Sequence, residues 1–222
     1  MGQNITLTAK DGHKLGVYRA DPAGKPRGAL VVIQEIFGVN NHMRHVTDGF
    51  AKEGYVAVSP ALFDRIEPGI ELGYDPKSIE TGRNLRPKVP LDGTLADLQA
   101  AIDYVKQFGK VGVVGYCWGG SLAFLAATRL LGVAGAVGYY GGMVAEHAGE
   151  TPKAPTMLHF GDQDQSIPMS DVEKVKAARA DVPIHVYHAG HGFNCDERGS
   201  YNADAAKTAL DRTLEFFHDH IG

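Results

Sequence analysis

Short apolar runs recur along the chain with amphipathic stretches between them, the pattern of a mostly parallel sheet covered on both faces. Residues 29–34 (Ala-Leu-Val-Val-Ile-Gln) read as a buried strand, and residues 55–58, 110–115, 133–140, 156–160 and 184–188 read the same way. At the start, Ile5 and Leu7 alternate, as do Leu15 and Val17, around Asp11-Gly12. Two alternating runs joined by a polar, glycine-containing turn predict a hairpin, which would give the sheet an antiparallel edge. Leu95, Leu98, Ile102 and Val105 fall at helical spacing, as do Leu122, Leu125 and Ala126, and Leu210, Leu214 and Phe217. Asp92 or Thr94, and Ser200, stand where helix N-caps are expected. The proline-rich stretch from Pro60 to Pro90 predicts a long loop with one short helix, and loops of that length usually serve a site.

Composition narrows the function more than the fold. A chain of 222 residues, 44% hydrophobic, can bury one sizeable core, and no repeat or linker marks a second unit, so residues 1–222 are expected to form one α/β domain. The net charge of −4, with basic residues dispersed, leaves no electrostatic footprint for nucleic acid. Neither a charged start with an apolar run nor about 18 uninterrupted apolar residues occurs, so a cytoplasmic protein without membrane contact is expected. Two cysteines are too few for a disulfide framework. A monomer is expected, with a homodimer as the alternative.

One of those cysteines sits in Gly115-Tyr116-Cys117-Trp118-Gly119, between an apolar strand and an apolar helix. A nucleophile on a strand-to-helix turn needs small residues two positions either side, because the turn is too tight for side chains there. A lone cysteine is ordinarily a small buried hydrophobe; this strand–turn–helix context sets Cys117 apart. Attack on a carbonyl also needs a proton acceptor and a third group to hold its tautomer. Asp164 follows one predicted strand and His191, flanked by Gly190 and Gly192, follows the next. Asp162 competes as the acid and would otherwise cap a turn; Asp164 is preferred. The other histidines show no comparable arrangement. The amides of Trp118 and Ile36 are the expected oxyanion donors, one after the nucleophile and one after an early strand.

Residues 34–38 (Gln-Glu-Ile-Phe-Gly), the Cys117 turn, residues 161–168 and residues 190–193 together resemble the dienelactone hydrolase family, over most of the chain. That resemblance implies an α/β-hydrolase fold, a Cys117–His191–Asp164 triad without metal or organic cofactor, and hydrolysis of a cyclic enol ester bearing a carboxylate. It also implies that Glu35 holds the resting thiol until substrate displaces it; a carboxylate beside a thiol would otherwise oppose thiolate formation. Family lactonases clamp the substrate carboxylate with two arginines, one of them four residues after the histidine. That position is Cys195, assigned here to the pocket wall. Arg198 can substitute only if its loop folds back, and Arg83 and Arg86 are candidates for the second clamp. Phe37 and Trp118 would line the pocket. A broader carboxylesterase or thioesterase, or a binding protein on a hydrolase scaffold, are the alternatives.

Overall fold

The computed structural model describes residues 2–222. Its centre is the pair β3 (Gly28–Ile33) and β5 (Val111–Tyr116), each buried along its whole length, as continuous Val/Leu/Ile runs covered on two faces must be. β4 (Tyr55–Pro60), β6 (Val133–Tyr139), β7 (Thr156–Gly161) and β8 (Ile184–Tyr187) extend the parallel sheet. β1 (Gln3–Thr8) and β2 (Lys14–Ala20) form the expected hairpin and join antiparallel to β4, completing the order β1-β2-β4-β3-β5-β6-β7-β8.

Alternation along β3 sorts the two layers. Leu30 and Val32 pack with Met43 and Phe50 of α1 (Asn41–Lys52) and Ala209 and Phe217 of α7 (Ala203–Ile221). Ala29, Val31 and Ile33 face Leu98 and Ile102 of α3 (Leu91–Val105) and Leu122 and Leu125 of α4 (Trp118–Arg129). α2 (Pro76–Leu85), α5 (Val144–His147) and α6 (Met169–Ala178) complete the helices. No helix among the described residues is long and apolar enough to cross a membrane.

Three local expectations need correction. Pro90, not Asp92 or Thr94, precedes α3, its extended backbone entering the helix without a side-chain cap. Asn202, not Ser200, caps α7 by accepting from the Ala205 amide, while the Ser200 hydroxyl is bonded to the carbonyl of His191. The proline-rich stretch is more ordered than a loop. It winds a 3₁₀ turn at Leu62–Arg65, then α2 with Pro76 in its first turn behind an Asp75 cap, then a second 3₁₀ turn at Arg86–Lys88. Gly82 lets α2 lie directly on the Ile36 backbone, since a Cβ there would stand 2.2 Å from the Ile36 carbonyl oxygen.

Candidate active site

The turn from β5 into α4 puts Cys117 at φ 55°, ψ −114°, a conformation rarely adopted by a residue with a side chain. Glycines make the turn feasible. A Cβ on Gly115 would lie 1.9 Å from the Gly119 carbonyl oxygen, and one on Gly119 would lie 2.4 Å from that of Ile33. The sulfur is therefore delivered at the C-terminal edge of the parallel strands, where open sheets bind their ligands.

β7 and β8 end beside it. Asp164, just beyond β7, accepts the amides of Ser166 and Ile167 on Oδ1, at 2.7 and 3.0 Å, which fixes its carboxylate. Its Oδ2 lies 2.7 Å from His191 Nδ1, and His191 Nε2 lies 3.1 Å from Cys117 Sγ. Asp162 turns away and meets His188 at 3.2 Å. Burial alone would drive His191 toward neutrality, but the Cys117 sulfur and the Asp164 carboxylate outweigh it and raise the imidazole to about 10.

Trp118 is the first residue of α4, so its amide has no partner within the helix, and Ile36 borders the same cleft. Trp118 stacks on Phe63 at 5.7 Å, and Phe37 packs on Tyr74 at 4.6 Å. The cleft encloses about 350 Å³, and Arg83, Arg86 and Arg198 reach it along with Phe37 and Cys117. Arg198 does fold back. Successive turns link Gly192 to Cys195, Cys195 to Arg198 and Arg198 to Tyr201, and the guanidinium passes over Gly192, whose missing Cβ would lie 2.5 Å from Nη1.

Arg198 Nη1 donates to Glu35 Oε1 at 3.3 Å. Glu35 is 1% exposed, its Oε2 has no partner, and the Cys117 thiol faces His191 rather than this carboxylate. Cys195 is not a pocket-wall residue: it is fully buried and does not line the cleft. Burial and the nearby Glu35 push its thiol up to about 12. Sequence reasoning missed Tyr74, whose hydroxyl accepts from Asn40 at 3.1 Å and whose ring packs on Phe37 at the cleft, because a tyrosine in a proline-rich stretch carries no periodic signal. It also set aside His42, whose Nδ1 lies 3.0 Å from Asp196.

The order of this sheet, the strained turn after β5 and the residues gathered at its C-terminal edge define an α/β-hydrolase. Residues 15–221 match the dienelactone hydrolase family, and the chain belongs to it, a hydrolase of ester or lactone bonds. The carboxymethylenebutenolidase of Pseudomonas putida is 36% identical over 96% of this chain and 95% of its own. A solved chain from Klebsiella pneumoniae subsp. pneumoniae superposes with a TM-score of 0.88 at 29% identity, with 99% of each covered. The dienelactone hydrolase-like promiscuous phosphotriesterase P91, from metagenomic libraries, shares the fold at 19% identity with a TM-score of 0.80, over 100% of this chain and 99% of its own.

Proposed function

We propose that the chain hydrolyses a lactone or related activated ester through an acyl-cysteine intermediate, with Cys117 as nucleophile, His191 as base and then acid, and Asp164 holding the imidazole tautomer. The observation that carries this reading is the chain of contacts from Cys117 Sγ through His191 to Asp164, at 3.1 and 2.7 Å. The sulfur attacks the carbonyl carbon, the oxyanion is met by the Trp118 and Ile36 amides, and His191 passes the proton to the departing oxygen. Water activated by His191 then releases the acid. No step calls on a metal or organic cofactor. Incubation with an activated aryl ester and intact-protein mass spectrometry tests it. His191→Ala should accumulate one acyl group and Cys117→Ala none; acylation in both variants would overturn it.

Glu35 is proposed to hold the thiol in a second, resting rotamer turned away from His191 by accepting its hydrogen bond on Oε2, with Arg198 tethering the carboxylate through Oε1 and an anionic substrate drawing Arg198 away. Cys117 alkylation in Glu35→Ala and wild type, with and without a substrate analogue, tests this, and equal rates throughout would sink it. A broader carboxylesterase or thioesterase is favoured by one feature, the buried Cys195 where family lactonases carry an arginine. Relative rates on a carboxylated enol lactone, a neutral aryl ester and an acyl thioester separate the two readings.

A further inference from the structure

A second cavity lies on the other side of the segment that carries Arg198. It is a groove of about 440 Å³ between α1 and α7, floored by Tyr116 of β5 and closed at one end by Asn194 and Asp196. That is the volume range of small-molecule sites rather than of a protein docking face. None of the residues proposed for hydrolysis borders it.

Three independent features mark the groove as built for an occupant. Gly49, at the start of the last turn of α1, borders it, and a Cβ there would meet nothing within 4 Å. Glycine inside a helix costs about 1 kcal/mol relative to alanine, and here no packing demands it; what it preserves is open space. Of the large apolar side chains left exposed, Tyr201 at 44% and Leu210 at 40% both stand at this groove. Finally, His42 is only 5% exposed, with Nδ1 held by Asp196 and with Nε2 bonded to no other side chain or backbone group among the described residues. In a neutral imidazole a carboxylate at Nδ1 fixes the proton there and leaves Nε2 as a lone-pair acceptor.

These features specify the ligand. Tyr201 and Leu210 offer exposed apolar surface for a flat ring, and His42 Nε2 wants a hydroxyl donor. An anionic head is disfavoured, because Asp196 and Glu53 both border the groove while its one lysine, Lys207, is paired with Asp211 at 2.6 Å. His45 at the rim adds a second imidazole without a carboxylate partner. We propose that the α1–α7 groove is a second small-molecule site that binds a neutral phenol, ring against Tyr201 and Leu210 and hydroxyl donated to His42.

Titration of the ¹⁵N-labelled protein with phenol, with toluene as the matched probe lacking a hydroxyl, tests this without reference to hydrolysis. Phenol should produce saturating amide shifts at Gly49, Lys207 and Leu210, distinct from any at Trp118, and toluene should bind about tenfold more weakly, the worth of one hydrogen bond. Gly49→Trp, which fills the groove from an uncrowded position, should abolish both sets of shifts while ester turnover is retained. Leu210→Glu, at an exposed site, should weaken both if the tryptophan variant does not fold. His42→Phe should erase the advantage of phenol over toluene. Absence of saturating groove shifts, equal binding of the two probes, or shifts that persist in Gly49→Trp would overturn the proposal.

Discussion

Cys117 holds its sulfur in place at a backbone cost. At φ 55° and ψ −114° a residue with a Cβ is strained by about 1–3 kcal/mol, whereas glycine visits that region freely. Cys117→Gly should therefore be at least as stable as Cys117→Ala in urea unfolding, against the usual loss on replacing alanine by glycine, and both should be inactive. A lower midpoint for the glycine variant would show that the turn stores no strain. The Glu35–Arg198 pair poses the opposite balance, since a carboxylate 1% exposed depends on its single guanidinium partner. Arg198→Ala should cost about 3 kcal/mol by leaving that charge buried and alone. The double variant Glu35→Ala/Arg198→Ala should recover most of the loss, and additive losses would sink this account of the pair.

At the scale of elements, β7, β8 and α7 are joined by one buried histidine. His159 places Nδ1 2.9 Å from the Tyr187 hydroxyl and Nε2 3.2 Å from Thr213 Oγ1. Burial, with repulsion from His185 and Arg212, holds it well below the usual imidazole value, so the folded chain keeps it neutral. The unfolded chain takes up that proton below about pH 6.5, so stability is complete above that value and falls as the pH drops. His159→Gln, which keeps two polar contacts, should flatten the acid side of a plot of Tm against pH; an unchanged slope would refute the assignment. Such a junction was not legible in the sequence, because it depends on which strands become neighbours. The strands themselves were, because buried parallel strands read as continuous apolar runs. α2 was underread: five prolines between Pro60 and Pro90 masked the fact that Asp75-Pro76 is a helix start, an Asx cap followed by proline in the first turn.

At the scale of the whole molecule, the sheet brings His191 and Asp164 from far along the chain onto a cysteine that short-range sequence already singled out. Cys117, Asp164 and His191 were legible as a group because each follows a strand and is marked by glycine or by turn residues. The arginines could be named as candidates but not aimed, because their direction is set by folding of the 192–201 turns and by α2 resting on the Ile36 backbone. Three guanidiniums reach a cleft in a chain of net charge −4, and among the described residues Glu146 is the one carboxylate that lines it. Arg198 is already engaged by Glu35, whereas Arg83 and Arg86, three apart in sequence, have no carboxylate partner among the described residues. Two like charges at that spacing repel by a few tenths of a kcal/mol, and an anion between them would relieve it. An ester carrying a carboxylate should therefore gain one or two charge-assisted hydrogen bonds, each worth about 1.5–3 kcal/mol. Arg83→Ala/Arg86→Ala should raise KM for a carboxylated aryl ester by about tenfold or more, leave kcat largely unchanged, and alter neither constant for the neutral analogue. Added salt should weaken binding of the carboxylated ester to the wild type and have little effect on the double variant. Equal losses on both esters would place the two arginines in the packing of α2 rather than in recognition.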